Sequence, residues 1–231
     1  MKLAEKFWGI VPAAGVGKRM QADRPKQYLP LAGKTVIEHS LSRLLDTEIF
    51  QAIAVAISAE DPYWPELAIS HNQQIITAEG GRERADSVLS GLIFLQEMAD
   101  DSDWVLVHDA ARPCITTDDV IKLQNSIHND AVGGILALPS HDTLKMVANR
   151  KITSTIDRNT IWRALTPQMF RYGALKSALQ DAFEKGLAVT DEASAMELQG
   201  LKPKIISGRP DNIKITRPED LQLAEFYMDQ Q

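Results

Sequence analysis

The sequence predicts an α/β fold in which helices flank a mostly parallel central sheet, in the Rossmann-like manner. Apolar segments of strand length alternate with segments of helical periodicity, an order that is typical of parallel βαβ units. The segments AIAVAI, WVLVH and GGILALP are apolar throughout, as expected of strands that helices cover on both faces. In sheets of this kind the ligand cleft lies beyond the carboxyl ends of the strands.

The individual elements follow this alternation along the chain. Strands are predicted at FWGIV, QAIAVAIS, QIITAEG and DWVLVHDA, and helices at TVIEHSLSRLL and ERADSVLSGLIFLQEM. Polar segments follow three of these strands or come late in the chain, namely PAAGVGKR, EGGRERADS, HDAARP and RPDNIKITRPED. Because the carboxyl ends of parallel strands meet at one edge of the sheet, we expect the chemistry in these four segments.

One stretch departs from the alternation. Residues 139–160 change to short β-prone segments around the polar turn VANRK, and this pattern predicts a hairpin arm that projects from the domain. A two-stranded unit with so little apolar surface is not stable alone. We therefore expect the arm to pack on a second subunit in a homodimer, and residues 1–231 to form a single domain of generous size.

Charge is distributed unevenly along this chain. The 231 residues carry a formal net charge of −6, yet the first 34 residues hold seven Lys or Arg against two acidic residues. An acidic chain argues against broad binding to nucleic acid or to an anionic membrane surface, whereas a local cationic site suits a small anionic ligand. Since no segment approaches the roughly 18 apolar residues of a membrane span, we expect neither nucleic acid nor membrane as a partner.

The single cysteine, Cys114, excludes an intramolecular disulfide and a zinc site built from several thiolates. Such sparse cysteine is typical of a reducing compartment, and a cytoplasmic location is expected. Cys114 itself is interpreted as a packed residue and not as a nucleophile. The segment FWGIVPAAGV resembles a signal-peptide core, but its Gly and Pro residues and the basic residues after it favour a strand and turn.

The glycine-containing turn after the first strand fits neither common phosphate-binding motif. In a P-loop the first glycine would fall at Pro12, and Arg19 stands where a Ser or Thr is needed. In a dinucleotide fingerprint the third glycine would fall at Met20. What remains is a turn of small residues around Gly15 and Gly17, whose backbone N–H groups can approach an anion closely.

Several segments together resemble a known family. PAAGVGKRM followed by PKQYLPLAGKTVIEHSL resembles the nucleotide-binding signature of the GT-A-like nucleotidyltransferases. GGRERADSV, VHDAARP, DTLK, DRNTIWRALTPQ, TDEASAMELQG and DNIKITRPEDL are similar, in order and spacing, to the 2-C-methyl-D-erythritol 4-phosphate cytidylyltransferases of the non-mevalonate isoprenoid pathway. The resemblance extends from about residue 8 to about residue 228, and it implies a GT-A-type nucleotidyltransferase fold.

The resemblance implies transfer of CMP from CTP to 2-C-methyl-D-erythritol 4-phosphate, which gives 4-diphosphocytidyl-2-C-methyl-D-erythritol and pyrophosphate. A phosphate monoester is already an anionic nucleophile near neutral pH. The protein then has to position two anions and neutralise their repulsion, and no general base is required. The resemblance also implies Mg²⁺ or another divalent cation as the cofactor.

The resemblance assigns roles by matching positions. The catalytic positions are Arg19, Lys26, Arg158 and Lys214. The nucleotide-binding positions are Ala13, Ala14, Gly15, Gly17, Gly81, Asp86 and Ser87. The acceptor-binding positions are Arg112, Thr143, Arg158 and Thr166, of which Thr143 and Arg158 would reach from the hairpin into a neighbouring subunit's site. The magnesium ligand is Asp109.

The residue types suit these roles, although simpler interpretations exist. Arg19 and Lys26 would stabilise charge that develops on the α-phosphate and the pyrophosphate, or they are solvated surface cations. Asp109 follows a buried strand, where a carboxylate is costly unless it is paired or metal-bound, and a salt bridge with Arg112 is the alternative. His108 beside it does not make a zinc site and receives no catalytic role.

Other positions leave a structural alternative open. Asp86 and Ser87 also resemble an N-terminal cap for the helix that follows them. Lys214 lies between apolar neighbours that predict a short strand. Arg82 and Arg84 flank the turn that would bind the base, and neither receives a role.

Two other functions compete with the leading one. The same transfer to another polyol phosphate, such as ribitol 5-phosphate, would keep the nucleotide half of the site and change the acceptor half, where Thr143, Arg158 and Thr166 lie. A protein that binds CTP without turnover would be expected to lose Lys26, Arg19 or Asp109 first, because binding does not need contacts made only in the transition state. All of these residues are present.

Overall fold

The structure, a computed structural model, describes residues 5–15, 17, 20 and 22–231. The strands are β1 (Phe7–Pro12), β2 (Pro30–Leu31), β3 (Lys34–Thr35), β4 (Phe50–Ile57), β5 (Ile75–Glu79), β6 (Trp104–Val107), β7 (Gly133–Pro139), β8 (Leu144–Ala148), β9 (Lys151–Ile156), β10 (Trp162–Arg171) and β11 (Lys204–Ser207). The α-helices are α1 (Val36–Leu45), α2 (Arg84–Phe94), α3 (Thr117–Ile127), α4 (Tyr172–Glu184), α5 (Glu192–Leu198) and α6 (Glu219–Asp229). Short 3₁₀ turns occur at Lys26–Tyr28, Trp64–Glu66, Ala68–His71, Leu95–Glu97 and Arg158–Thr160.

Seven strands form one sheet in the order β11-β7-β10-β6-β1-β4-β5. Strands β6, β1, β4 and β5 are parallel to one another, and β11 is parallel to β7. Only β10 in this sheet runs antiparallel to its neighbours β6 and β7. The predicted α/β fold with a mostly parallel sheet is confirmed.

Apolar side chains are buried on both faces of this sheet. Along β1, Val11 packs into the cluster that contains Leu41 of α1 and Leu123 of α3. Its neighbour Ile10 packs into a second cluster, with Leu92 of α2. Because successive side chains of a strand point to opposite faces, a strand covered by helices on both sides must be apolar throughout, as the sequence shows.

The beginning of α2 differs from the sequence-based expectation. Glu83 is the N-cap, and Asp86 is the third helical residue, whose Oδ2 accepts a hydrogen bond from the Glu83 backbone N–H at 2.8 Å. Ser87 lies inside the helix. The reciprocal Glu83–Asp86 pair is a capping box. Asp86 thus takes part in the cap as expected, but the N-cap itself is Glu83, three residues earlier, and the expectation for Ser87 is wrong.

Strands β8 and β9 form a separate two-stranded hairpin within the predicted arm. Asn149 and Arg150 at its turn both have positive φ values, 49° and 61°, the combination that a two-residue hairpin turn of type I′ needs. Met146, Val147 and Ile152 are between 54% and 65% exposed. The hairpin therefore presents apolar side chains that this chain does not cover.

Among the helices in the described part of the chain, each is too short or too polar to cross a membrane.

Candidate active site

Two adjoining clefts open at the carboxyl ends of the parallel strands. The first, of about 150 Å³, is lined by Pro12, Ala13, Ala14, Gly15, Lys26, Gln27, Gly81, Arg82, Glu83, Arg84, Ser87, Asp109, Ala110, Ala111 and Lys214. The second, of about 270 Å³, is lined by Arg84, Asp109, Arg112, Ala164, Leu165, Thr166, Gln168, Thr190, Asp191 and Lys214. Arg84, Asp109 and Lys214 belong to both linings. These three charged side chains therefore lie where the two clefts meet.

The small residues after β1 form one wall of the first cleft. Gln27, itself buried, holds this segment in place because its Nε2 donates to the carbonyl oxygens of Ala13, at 2.5 Å, and Gly15, at 3.1 Å. Ser58 Oγ donates to the Ala14 carbonyl oxygen at 3.2 Å. With the carbonyl groups of this turn engaged by Gln27 and Ser58, the segment is fixed as a cradle.

The loop before α2 forms the opposite wall and approaches the cradle closely. A Cβ atom on Gly80 would lie 2.4 Å from Ala14 Cβ, and one on Gly81 would lie 2.2 Å from Asp86 Cβ. Ser87 Oγ accepts a hydrogen bond from the Gly81 backbone N–H at 3.0 Å. Glycine is required here because these backbone segments leave no room for a side chain.

Asp109 is the centre of an ionic network between the clefts. Its Oδ1 accepts from Arg84 Nε at 2.7 Å, and its Oδ2 lies 2.8 Å from Lys214 Nζ and 3.5 Å from Arg112 Nε. Arg84 also makes two hydrogen bonds with the buried carboxylate of Glu192, at 2.7 and 3.0 Å. The structure thus contains the Asp109–Arg112 pair that the sequence left as an alternative, together with two further cations on the same carboxylate.

The network fixes the charge of its members. Burial raises the pKa of Asp109, but Arg84, Lys214 and Arg112 outweigh burial and hold this pKa well below its usual range. Burial lowers the pKa of Arg84, and the carboxylates of Glu192 and Asp109 more than reverse that effect. Asp109 is therefore a carboxylate and Arg84 a guanidinium at neutral pH, as in other mutually paired buried charges.

Buried polar groups support the second cleft. Arg112 Nη1 donates to the carbonyl oxygen of Asn212 at 2.8 Å, and Asn212 Nδ2 donates to the carbonyl oxygen of Thr166 at 2.8 Å. Arg112 Nε and Asn212 Oδ1 are the buried side-chain atoms of the described residues that lack a hydrogen-bond partner. Arg112 lines the second cleft and is ion-paired with Asp109 at 3.5 Å, and a guanidinium at this place is suited to an anionic ligand.

His108, directly behind this cleft, is fully buried. Burial lowers the pKa of His108 to about 4. The imidazole is within 3.1 Å of the Arg112 carbonyl oxygen and 3.2 Å of Thr166 Oγ1. It is a neutral ring at physiological pH, and it contacts two residues of the site.

Ten of the residues predicted from the sequence line the clefts. They are Ala13, Ala14, Gly15, Lys26, Gly81, Ser87, Asp109, Lys214, Arg112 and Thr166. Lys26 Nζ donates to the carbonyl oxygen of Ile215 at 2.7 Å, the residue that follows Lys214 in sequence. Lys214 lies in an extended loop and not in a strand, because Ile215, which is buried, is anchored through a single backbone bond to the Ala111 carbonyl oxygen at 2.8 Å.

The other predicted residues do not line the described clefts. Gly17 has a φ of +64°, and a Cβ there would lie 3.1 Å from Lys26 Cγ, so it supports the cradle from outside. Asp86 is engaged in the capping box of α2. Thr143 and Arg158 are exposed at the base of the hairpin, where Arg158 Nη1 donates to the His141 carbonyl oxygen at 2.5 Å. Arg19 lies outside the described residues.

Sequence reasoning missed several residues of this site, among them Gln27, Arg84 and Glu192. Gln27 and Glu192 lie inside segments that resemble the family, PKQYLPLAGK and TDEASAMELQG, and that position was their only signal. Arg84 was noticed as a cation near the base-binding turn, but its two carboxylate partners are 25 and 108 residues away in sequence. Such contacts cannot be read from local pattern.

The donor set fits one kind of metal site. No group of three or more His, Cys, Asp or Glu side chains that could hold a metal ion is found within residues 5–15, 17, 20 and 22–231. Mg²⁺ is commonly bound by one or two carboxylates with substrate phosphates and water supplying the remaining ligands. Asp109, at the junction of the clefts, is a carboxylate of the kind that such an ion uses.

A mostly parallel sheet with a small-residue cradle after its first strand and clustered cations at its carboxyl edge is the arrangement expected of a nucleotidyltransferase, and the family match places the chain in that class. Over residues 8–230 the chain matches the family described as 2-C-methyl-D-erythritol 4-phosphate cytidylyltransferase. The chain belongs to this family, as the resemblance predicted.

Individual relatives agree with this membership. A protein named 2-C-methyl-D-erythritol 4-phosphate cytidylyltransferase from Aliivibrio fischeri (strain ATCC 700601 / ES114) is 55% identical over 220 residues, which are 95% of this chain and 92% of the relative. A crystal structure of the Francisella tularensis protein of that name aligns with a TM-score of 0.85 at 36% identity, covering 96% of this chain and 100% of the other. A crystal structure of 4-diphosphocytidyl-2C-methyl-D-erythritol synthase aligns with a TM-score of 0.86 at 36% identity, covering 99% and 100%.

Proposed function

We propose that this chain transfers the cytidylyl group of CTP to the phosphate of 2-C-methyl-D-erythritol 4-phosphate and releases pyrophosphate. The observation that carries the proposal is the junction of the two clefts at Arg84, Asp109 and Lys214. Two anionic substrates, one in each cleft, would meet there beside cations. Holding two reactants together and neutralising their repulsion is what this reaction needs from a protein.

CTP would occupy the first cleft. The cradle of Ala13, Ala14 and Gly15 lets the triphosphate approach the backbone closely, and Lys26 adds a full positive charge to the same lining. The loop at Gly81 and Ser87 forms the opposite wall, where a flat base fits between two backbone segments. Arg19 is proposed as a second cation on the triphosphate.

The polyol phosphate would occupy the second cleft. The guanidinium of Arg112 and the ammonium of Lys214 line this cleft and suit its phosphate. Thr166, Thr190 and Asp191 line the same cleft with hydroxyl and carboxylate oxygens, which suit the hydroxyl groups of a polyol. The same cleft thus offers cations for a phosphate and oxygen atoms for hydroxyl groups.

The bond changes follow from this placement. An oxygen of the polyol phosphate attacks the α-phosphorus of CTP, the bond from that phosphorus to the oxygen bridging to the β-phosphate breaks, and pyrophosphate leaves with the bonding electrons. Lys26, Arg19 and Lys214 stabilise the charge that accumulates on the α-phosphate and the leaving group. The nucleophile is already ionised at neutral pH, so the site needs no general base.

Asp109 is proposed to hold Mg²⁺ together with the triphosphate. The ion would neutralise phosphate charge and add a Lewis acid. Asp109 would hold the ion with the oxygen atoms that contact Lys214 and Arg112, and these two cations would then contact substrate phosphates. Arg84 keeps Asp109 in place during this change of contacts, because Glu192 holds its other nitrogen atoms.

The hairpin is proposed to complete the acceptor site of a second subunit in a homodimer. Its apolar side chains Met146, Val147 and Ile152 are exposed, and a two-stranded unit is stable only when it packs against something else. Thr143 and Arg158 lie at its base, outside this chain's own clefts. A dimer would bring them to the partner's polyol phosphate.

The direct test measures pyrophosphate release from CTP and Mg²⁺ with each acceptor. Turnover is expected with 2-C-methyl-D-erythritol 4-phosphate and not with ribitol 5-phosphate. Lys214→Met should lower kcat/KM by about 100-fold or more, the usual cost of removing a group that stabilises transition-state charge. Lys122→Met, which loses only a surface bond to the Ser207 carbonyl oxygen, is the matched control. Full turnover by Lys214→Met, or faster turnover with ribitol 5-phosphate, would contradict the proposal.

The shared site is tested by complementation. Arg158→Ala and Lys214→Ala subunits, each inactive alone, are unfolded and refolded together. If Arg158 acts on the partner's site, a mixed dimer contains one intact site, and up to a quarter of wild-type activity returns under random pairing. If Arg158 acts within its own subunit, both sites of the mixed dimer are defective and no activity returns.

A further inference from the structure

A buried chain of hydrogen bonds connects His108 to the second cleft. The ring nitrogen Nε2 of His108 lies 3.1 Å from the carbonyl oxygen of Arg112, and Nδ1 lies 3.2 Å from Thr166 Oγ1. Thr166 Oγ1 in turn lies 3.0 Å from the backbone nitrogen of Asp109. His108 is fully buried and Thr166 is 4% exposed, so water does not compete for these bonds.

The chemistry of the end groups fixes the direction of every bond. The Arg112 carbonyl can only accept, so Nε2 carries the hydrogen and donates it. With the ring hydrogen on Nε2, these bonds select the imidazole tautomer in which Nδ1 is the acceptor. The Thr166 hydroxyl must therefore donate its single hydrogen to Nδ1, while one of its lone pairs accepts from the Asp109 N–H.

A hydroxyl group has one hydrogen and two lone pairs. In Thr166 the hydrogen and one lone pair are used inside the protein, and one lone pair remains. Thr166 lines the second cleft. Towards a ligand in that cleft its hydroxyl can only accept a hydrogen bond.

We propose that His108 is a positioning residue that fixes the Thr166 hydroxyl as a hydrogen-bond acceptor, so that Thr166 selects a donating hydroxyl group of the polyol and disfavours a phosphate oxygen. This inference rests on the function proposed above. It explains how the second cleft orients a polyol phosphate. The Thr166 oxygen accepts a hydrogen bond from a hydroxyl group of the polyol. The phosphate needs hydrogen-bond donors and therefore lies at Arg112 and Lys214. The reacting oxygen is thereby directed to the junction of the clefts.

The test uses analogues of 2-C-methyl-D-erythritol 4-phosphate in which one hydroxyl group at a time is replaced by hydrogen or by fluorine. Fluorine accepts weakly but cannot donate. At the hydroxyl group that Thr166 binds, both replacements should raise the KM for the polyol phosphate analogue to the same extent, about tenfold or more. The KM for CTP should stay unchanged. Thr166→Val should abolish this penalty, whereas Thr77→Val, whose hydroxyl accepts from Trp64 Nε1 away from the clefts, should keep it.

Variants of His108 test whether this histidine is what makes the Thr166 hydroxyl a hydrogen-bond acceptor towards the ligand. His108→Leu removes the acceptor, which frees the Thr166 hydroxyl to donate, so the fluorinated analogue should become better than the deoxy analogue. His108→Asn can still present an oxygen near the position of Nδ1 and should keep the two analogues equal. If His108→Leu does not fold, the measurements on the wild type and on Thr166→Val still decide whether Thr166 accepts or donates the hydrogen bond to the polyol.

Two results would overturn the inference. One is a wild-type enzyme that uses a fluorinated analogue clearly better than the matching deoxy analogue at the Thr166-dependent position, because Thr166 would then be donating. The other is that no hydroxyl replacement has a penalty that depends on Thr166. Failure of the function proposed above looks different, since the unmodified polyol phosphate itself would release no pyrophosphate.

Discussion

The charged residues at the cleft junction form ion pairs with one another. Asp109 is within 2.8 Å of both Arg84 Nε and Lys214 Nζ. Lys214 is the more exposed partner, at 37% of its side chain, while the Arg84 side chain is 24% exposed and is tied to Glu192 as well. Exchange of Asp109 for a phosphate is therefore easiest at Lys214, because that lysine can move without leaving a second buried charge unpaired.

A single glutamine supports the nucleotide cradle. In Gln27→Met the hydrogen bonds to the Ala13 and Gly15 carbonyl oxygens are lost. The KM for CTP should rise by up to about 30-fold, since two hydrogen bonds at about 1 kcal/mol each amount to about 2 kcal/mol. The KM for the polyol phosphate should stay within twofold. Steady-state kinetics with each substrate varied in turn measures both values.

Gln74→Met is the matched control for this prediction. Gln74 Nε2 also donates to a backbone carbonyl oxygen, that of Phe50, at 2.9 Å, but far along the chain from the cradle. An equal rise in the KM for CTP in both variants would show a general loss of packing and would contradict a role of Gln27 in the cradle.

At the scale of elements, the short helix α5 is held against β10 so that its first residue reaches the site. Gln168 of β10 donates through Nε2 to Asp191 Oδ2 at 2.8 Å and accepts through Oε1 from the Ala193 N–H at 2.9 Å. These bonds fix the N-terminus of α5 and hence Glu192, which is 1% exposed. Strand β10 also carries Thr166, so one strand positions both a lining residue of the second cleft and Glu192, the partner of Arg84.

Removal of the Glu192 charge should change the response to magnesium. In Glu192→Gln, Arg84 loses its bidentate charged partner and pairs more strongly with Asp109, which then binds Mg²⁺ less readily. The Mg²⁺ concentration for half-maximal activity should rise several-fold, as measured by titration at saturating CTP. Glu197→Gln, on the exposed face of α5, should titrate like the wild type; an unchanged Mg²⁺ response in Glu192→Gln would contradict this function of the pair.

The pairing of β7 with β10 depends on Gly133. A Cβ at this position would lie 2.3 Å from the Met169 carbonyl oxygen, and the φ of Gly133 is +119°. Gly133→Ala should lower the free energy of unfolding by about 3 kcal/mol or more, from backbone strain and overpacking together. Gly186 has a φ of +65° with nothing within 4 Å, so Gly186→Ala should cost only about 1 kcal/mol. Urea unfolding of the two variants makes the comparison, and equal losses would contradict it.

For the whole molecule, the buried ionisable groups of the site make stability depend on pH. The pKa of His108 is lowered from 6.5 to about 4 by burial, so between these values the unfolded chain binds a proton that the folded chain does not. Stability contributed by this group is therefore complete above pH 6.5 and decreases as the pH falls. Asp109, whose pKa is held well below 3.8, adds a further loss at more acidic pH, when the unfolded carboxylate is protonated first.

The free energy of unfolding should thus decrease by up to about 1.4 kcal/mol per pH unit between pH 6.5 and 4 on account of His108. Urea unfolding of the wild type and of His108→Asn at several pH values measures the slope for each. The variant should show the shallower slope, whatever its absolute stability. Parallel slopes would mean that His108 takes up a proton in the folded state as easily as in the unfolded chain.

The sequence by itself determined the fold class, the family and much of the lining of the first cleft. These features are local: apolar strands covered on both faces, a small-residue turn after β1, and polar segments at strand ends. The roles of Arg19, Lys26, Arg158 and Lys214, and the dimer formed through the hairpin, remain predictions. The sequence also misplaced the cap of α2 and assigned Lys214 to a strand, because the same residue types occur in a capping box and in an extended loop with one buried anchor.

Only the tertiary structure decided which charges and hydrogen bonds meet. Arg84 reaches Glu192 across 108 residues of sequence, and Thr166 reaches His108 across 58. No local pattern specifies such pairs, since each depends on the order of strands in the sheet and on the register between them. The physical reason is that a buried polar group is stable only with a hydrogen-bond or ion-pair partner, and the fold determines which residue that partner is. Residues such as Glu192 and His108, to which the sequence assigned no role, therefore support the site.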